Sequence, residues 1–369
     1  MKCDIAPNAA EERSSAVEAK RLATPPPVEL VSPSRLRRDI PLSEAARAQV
    51  ERTRSQIANI LSGRDRDRLL VVSGPCSIDD VDAAVVYAEK LGKLAEEVSD
   101  RVLLVMRCYF EKPRSVLGWK GLIYDPLMGA ERGPAMDGLS MARRLLTHLA
   151  DSGVGCATEF LNPMLAPYLE DAISYGSIGS RTVESQLHRE MASSMTMPIG
   201  MKNGMDGDPK SALNAVLSAA QPHSYFGVSD RGMPCWLQSS GNPATHVILR
   251  GGSSGPNFHQ SCVNQTVEAA RRPDLQRPVV VDCSHGNSAK DHRRQEGVAQ
   301  AVAQQFAAGQ GGIAGLMLES NLVEGQQGLR DGVARVFGKS ITDSCIGWND
   351  TERIVRLLAS NLGEGGRRR

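Results

Sequence analysis

The chain has 369 residues, and its 43 Lys plus Arg against 42 Asp plus Glu leave a formal charge of +1, which excludes a general polyanion binder and gives no expectation of nucleic acid as a partner. With 41% apolar and 23% charged residues it falls among chains that fold around a core. The length suits about two domains, or one α/β barrel of ~250 residues or more with an arm attached. No run approaches the ~18 to 20 consecutive apolar residues of a membrane span. The N-terminal stretch has no basic-then-apolar leader, so the reading is a cytoplasmic protein with no membrane partner. Eight cysteines (Cys3, Cys76, Cys108, Cys156, Cys235, Cys262, Cys283, Cys345) are scattered without a C-x-x-C pair, which speaks for a reducing compartment rather than a disulfide framework.

Taken in chain order, residues 1 to about 40 are polar and Pro-rich, with Pro25, Pro26 and Pro27 in the middle, and read as an arm. Apolar residues at helical spacing predict a helix over 42–61, followed by a charged turn at 64–68. These segments make up a first region, 1–65. From 69 onward, short apolar runs ending in Gly or a polar residue alternate with longer amphipathic stretches. The runs are 69–73, 102–107, 155–159, 177–181, 198–202, 246–250, 279–282 and 312–319. The stretches 80–98, 138–151 and 289–308 have the length and period of helices. Two strand-like pieces, 223–229 and 234–240, flank Asp230-Arg231-Gly232-Met233 and predict an antiparallel hairpin before the sixth run. Eight β-then-α units favour a closed (β/α)8 TIM barrel over 66–362, with its chemistry at the carboxyl ends of the strands. Residues 363–369 read as a disordered basic tail.

The run ends carry a charge bias that the net charge conceals. Arg107, Arg181, Lys202 and Arg250 each close a run, and Lys112, Arg114 and Lys120 follow the second. A basic mouth on a neutral protein points to a small anion, since phosphate and carboxylate are gripped by convergent Arg forks and Lys point charges. Singly, each cation is as well explained as a solvated surface charge. A second set stands after the first, seventh and eighth runs and beyond: Cys76, His285, Glu319 and Asp343. Barrel closure lets these converge, and a Cys, a His and two carboxylates suit a divalent transition metal. Taken one at a time, a buried cysteine, a core histidine or a capping carboxylate is the commoner role.

Gly74-Pro75-Cys76-Ser77-Ile78, Phe110-Glu111-Lys112-Pro113-Arg114-Ser115 and Gly118-Trp119-Lys120-Gly121 are followed in order by Gly179-Ser180-Arg181-Thr182-Val183-Glu184-Ser185-Gln186, Lys202-Asn203-Gly204, Leu249-Arg250-Gly251-Gly252, Ser284-His285-Gly286-Asn287 and Ser340-Ile341-Thr342-Asp343. Over roughly residues 60 to 360 the chain resembles the type I 3-deoxy-D-arabino-heptulosonate 7-phosphate (DAHP) synthases. The resemblance implies a metal-dependent (β/α)8 barrel that condenses phosphoenolpyruvate with erythrose 4-phosphate, opening the shikimate pathway. It implies one divalent ion (Mn, Fe, Co or Zn) on Cys76, His285, Glu319 and Asp343. Phosphoenolpyruvate would be held by Arg107, Lys112, Arg181, Lys202, Arg250 and His285, and erythrose 4-phosphate by Lys112, Pro113, Arg114, Ser115 and Asp343. Lys112, His285 and Glu159 would be catalytic, with Lys112 protonating the nascent alkoxide and Glu159 assisting the attacking water. Ser115 stands where Thr is usual and Asp79 where His is common.

In this family the arm and hairpin commonly build a pocket for an aromatic amino acid effector in a homodimer or homotetramer, which implies regulatory roles for Pro167, Met195, Thr196 and Tyr225. Thr158-Glu159-Phe160 and His292-Arg293-Arg294-Gln295 resemble the tryptophan-sensitive members. The competing readings are a non-catalytic amino-acid-sensing paralogue and a related synthase acting on another aldose phosphate.

Overall fold

The computed structural model describes residues 27–114, 116–128, 135–329, 334 and 336–365. Residues 27–31 carry no regular structure and belong to a first unit, Met1–Val31, while the helices and strands of the described residues lie in the second unit, Ser32–Arg369.

Helix α1 (Pro33–Asp39) lies inside the stretch read as an arm. Ser32 caps it, its Oγ accepting from Arg35 N at 3.3 Å, and Pro33 stands where a missing N–H costs nothing. Leu36, Ile40 and Leu42 are buried in the main core, and Arg143 donates to the Ile40 carbonyl at 2.8 Å. Helix α2 (Glu44–Ser62) is capped by Ser43 and stopped by Gly63 in the left-handed region at φ 75°. Its Ile57, Ile60 and Leu61 share one cluster with Leu70, Val105, Ala157, Tyr175, Ile248, Val280 and Ala314. The Leu61 carbonyl accepts from Arg277 N just before a barrel strand, so α2 plugs the end where the strands begin.

The barrel strands are β1 (Leu69–Gly74), β2 (Val102–Arg107), β3 (Cys156–Glu159), β4 (Tyr175–Ile178), β5 (Ile199–Lys202), β8 (Thr245–Leu249), β9 (Val279–Asp282) and β10 (Ile313–Glu319). All pair in parallel and close in the order β1-β10-β9-β8-β5-β4-β3-β2. Nearly every strand residue is buried, as expected when one face fills the barrel and the other meets helices. The helical layer comprises α3 (Val81–Glu97), α4 (Ala135–Asp151), the short α5 (Ala166–Leu169), α6 (Gln186–Ser194), α7 (Lys210–Ala219), α8 (Gln260–Ala270), α9 (Gln295–Ala307) and α10 (Trp348–Gly365). No helix among the described residues is long and apolar enough to cross a membrane.

Between β5 and β8 stands the antiparallel hairpin β6 (Ser224–Val228) and β7 (Pro234–Gln238), in register from Ser224↔Gln238 to Val228↔Pro234. Its turn uses Gly232 at φ 79°. The alternation turns Tyr225 inward and leaves Phe226 and Trp236 exposed, edge to face. A parallel two-strand pair, β11 (Val323–Gln326) and β12 (Lys339–Ser340), comes after the barrel.

Three of the expected boundaries that move have a visible cause. The fourth strand is 175–178, not 177–181: its partners are Ala157–Glu159 on one side and Ile199–Met201 on the other, and the chain then turns, with Val183 N bonded to Gly179 O. Helix α9 begins at Gln295 rather than 289, because Ala289 and Lys290 hold positive φ and Asp291 caps a single 3-10 turn, His292–Arg294. The last helix reaches Gly365, taking in the start of the expected tail; residues 366–369 lie outside the described residues.

Candidate active site

Register places the ends of β1 and β10 side by side, with Gly74 opposite Glu319. Gly74 has to be small there, since a Cβ would come within 2.7 Å of the Arg107 carbonyl. Two residues on, Cys76 is fully buried. The segment carrying Asp343 is fastened to the same loop: Ser77 Oγ bonds Thr342 Oγ1 at 2.8 Å, and Asp79 Oδ2 accepts from Ile341 N at 2.9 Å. Asp79 therefore holds the Asp343 segment against the Cys76 loop, and burial pushes its carboxyl up to about 6. Cys76 Sγ and carboxylate oxygens of Glu319 and Asp343 all lie within 4.8 Å of one another.

His285 joins from β9. It sits at φ 57°, an uncommon conformation for a residue with a Cβ. Its Nε2 is 3.6 Å from Glu319 Oε1, while Nδ1 is 3.0 Å from Asp282 Oδ2 and 2.7 Å from Ser284 Oγ. The thiol and two carboxylates are the atoms that converge; His285 stands outside that group, 3.6 Å from Glu319 and with its far nitrogen oriented by a carboxylate, and the chemistry of the four suits a borderline divalent ion. Burial and Glu319 push the Cys76 thiol up to about 11, so a cation at this point is what would make the sulfur a thiolate ligand near neutral pH.

The cations divide into two kinds. Arg107 is 1% exposed and already balanced by Glu319 at 2.7 Å, with Nε donated to the Pro75 carbonyl and its guanidinium over the Tyr109 ring. Lys202 is balanced by Asp282 at 3.0 Å. Lys112 Nζ donates to the Cys76 sulfur at 3.0 Å and to its carbonyl at 3.2 Å. Burial alone would lower the Lys112 pKa, but Cys76 and Glu319 outweigh it and hold the ammonium charged. Arg181 and Arg250, by contrast, have no direct carboxylate ion pair among the described residues: burial lowers the Arg250 pKa, the more distant Asp282 and Glu319 oppose that only in part, and Arg181 adds to the lowering.

Arg107, Lys112, Arg181, Lys202 and Arg250 line one cavity of ≈ 380 Å³ at the strand ends, together with His285, Glu319, Asp343, Pro113, Arg114 and Glu159. Arg114 Nε is held by the Trp119 carbonyl at 2.8 Å. Ser115 lies outside the described residues. Ser180, Lys290 and His292 also line the cavity, and Asp282 stands behind it as partner of Lys202 and His285; none of the four is a site residue in the sequence reading. Asp282 had a visible signal, an acid closing an apolar run, but its role as shared partner of Lys202 and His285 needs the fold.

The positions read as regulatory lie apart from this cavity. Tyr225 donates to Ser194 Oγ at 2.7 Å, linking the hairpin to α6. Met195 is buried, and Thr196 Oγ1 accepts from Arg54 at 3.0 Å. Pro167 lies in α5, beside the Glu170 carbonyl that the same Arg54 binds at 2.6 Å.

Fold and cavity together define a (β/α)8 barrel whose strand-end cavity is lined by Arg and Lys side chains beside a candidate metal centre. Residues 40–356 match the model of the DAHP synthetase I family. The phospho-2-dehydro-3-deoxyheptonate aldolase, Tyr-sensitive, of Salmonella typhimurium is 47% identical over 90% of this chain and 93% of its own. The Trp-sensitive aldolase of the same name from Enterobacter agglomerans is 46% identical over 89% and 94%. The solved phospho-2-dehydro-3-deoxyheptonate aldolase of Francisella tularensis superposes with a TM-score of 0.88 at 40% identity, covering 92% of this chain and 98% of that one. The chain belongs to the DAHP synthetase I family.

Proposed function

We propose that the protein is a metal-dependent 3-deoxy-7-phosphoheptulonate synthase, joining phosphoenolpyruvate, D-erythrose 4-phosphate and water into DAHP and inorganic phosphate, the first step of the shikimate pathway. The observation that carries this is the convergence of the Cys76, Glu319 and Asp343 donor atoms, with Glu319 and Asp343 lining the same cavity as two guanidiniums, Arg181 and Arg250, that have no carboxylate ion-pair partner among the described residues. Phosphoenolpyruvate brings the missing negative charge, and its desolvation is offset by cations already fixed in the fold.

Arg107, Lys202, Arg181 and Arg250 would grip the phosphate and carboxylate, and Arg114 the phosphate of the aldose. A divalent ion on Cys76, His285, Glu319 and Asp343 would supply Lewis acidity to the aldehyde oxygen. The enol carbon attacks the aldehyde carbon; Lys112, held charged beside Cys76, protonates the alkoxide that forms. Water then adds to the cationic carbon, with Glu159 as base, and phosphate departs by C–O cleavage. Asp282 holds His285 through Nδ1 and leaves Nε2 facing Glu319.

The test is loss of phosphoenolpyruvate absorbance with both substrates and Mn²⁺. Turnover should fall about 100-fold or more in Lys112→Met. No consumption by the wild-type protein with any of Mn²⁺, Fe²⁺, Co²⁺ or Zn²⁺ would refute the assignment.

Feedback inhibition by an aromatic amino acid is part of the same reading, acting through the hairpin and the Pro167, Met195, Thr196 and Tyr225 region. Relatives named Tyr-sensitive and Trp-sensitive are 47% and 46% identical, so overall likeness does not choose the effector. Inhibition assays with Phe, Tyr and Trp decide it. A cytoplasmic homo-oligomer is the expected state.

A further inference from the structure

The hydroxyl of Ser180 is buried and has no hydrogen-bond partner, yet Ser180 lines the strand-end cavity. Leaving a buried hydroxyl unpaired costs free energy, and native structures seldom tolerate it without a ligand or an ordered water to complete the bond. Its position says which kind of ligand. Gly179 lets the turn press against β3, where a Cβ would come within 2.3 Å of Glu159 Oε1, and Arg181 follows directly. The group that completes the Ser180 bond therefore sits beside Arg181 and near Arg250, two of the three cavity guanidiniums without a carboxylate ion-pair partner among the described residues; the third, Arg114, donates to the Trp119 carbonyl.

We propose that Ser180 donates a hydrogen bond through Oγ to a phosphate oxygen of phosphoenolpyruvate, making it a substrate-binding residue of this site. The phosphate, rather than the carboxylate, is assigned because it carries the larger charge and Arg181 and Arg250 lie here without a direct ion-pair partner; Arg107 and Lys202 are already paired with Glu319 and Asp282. The assignment rests on phosphoenolpyruvate being the substrate, and the experiment separates the two.

Full-length wild-type and Ser180→Ala proteins are compared in thermal unfolding, alone, with phosphoenolpyruvate and with inorganic phosphate, and in steady-state kinetics. Removing an unpaired buried hydroxyl should leave the unliganded melting temperature unchanged or raise it. The stabilisation by phosphoenolpyruvate and by phosphate should shrink, and KM for phosphoenolpyruvate should rise about tenfold, the size expected for one hydrogen bond to a charged group. KM for erythrose 4-phosphate and kcat should stay within about twofold. A lower unliganded melting temperature with KM unchanged would make Ser180 a structural residue and overturn the proposal, as would a rise confined to KM for erythrose 4-phosphate. If the wild-type protein is stabilised by phosphoenolpyruvate but does not turn over, the reaction assignment fails while the melting comparison still reads Ser180.

Discussion

Lys202 and Asp282 offer a direct measure of how this cavity holds its charge. Both are almost wholly buried, Lys202 at 3% and Asp282 at 0% exposure, and their charged atoms are 3.0 Å apart. Removing one member of such a pair strands the other in a poorly solvated place, which costs about 3–5 kcal/mol. Lys202→Met should sit at the lower end, because Asp282 keeps Ser284 N at 3.0 Å, Ser284 Oγ at 2.6 Å and His285 as partners. Lys202→Met/Asp282→Asn has no stranded charge, and more than half of the loss should return. The assay is denaturant unfolding of the protein without substrate, with free energies extrapolated to water.

The pair itself should stay ionised across the neutral range. Burial would raise the Asp282 carboxyl, but His285 and Lys202 overcome it and hold the group well below its ordinary 3.8; stability from a depressed carboxylate is present above its unfolded pKa and fades only as pH falls through the folded one. Burial would lower the Lys202 ammonium, yet Asp282 raises it from 10.5 overall, so its contribution is complete below that value and lost only in stronger alkali. Between about pH 5 and 9 neither partner titrates. Strictly additive losses in the double variant would refute the claim that each charge is there to balance the other.

Two further outcomes rest on the same structure. Cys76→Ala should lose bound Mn²⁺ or Zn²⁺ on dialysis, by elemental analysis at least tenfold in affinity, with the fold retained; full metal retention would remove the sulfur from the ligand set. Glu111, buried between Tyr124 Oη and Asn162 N, has its carboxyl pushed up to about 7 from 4.5, chiefly by burial. A raised acid contributes stability below its unfolded pKa and loses it as pH rises through the folded value, here about 3 kcal/mol at most. Glu111→Gln should therefore gain on the wild-type protein in melting temperature from pH 5 to pH 8, and an unchanging gap would show that Glu111 is not held protonated.

Much of the barrel was legible because its code is local. Apolar runs of strand length, amphipathic stretches between them and the Asp230-Arg231-Gly232-Met233 turn each act over a few residues, and they marked all eight strands and the hairpin. The fourth strand slipped by two residues because its limits are set by β3 and β5, which no local window contains. The helix expected from 289 failed on backbone conformation: Ala289 and Lys290 are left-handed, and their side chains give no sign of it.

The residues that form the cavity were determined by the chain itself, since charged groups and a cysteine at the ends of buried runs have nowhere to go but the strand-end mouth of a closed barrel. What the sequence could not determine was how those charges pair. Cys76 reaches Asp343 across 267 residues, Arg107 is neutralised by Glu319 across 212, and Lys202 by Asp282 across 80. Coulomb energy depends on separation and burial rather than on order along the chain. Only the tertiary structure, by bringing β10 and β9 beside the rest, decided that Arg107 and Lys202 are balanced while Arg181 and Arg250 stand ready for an anion.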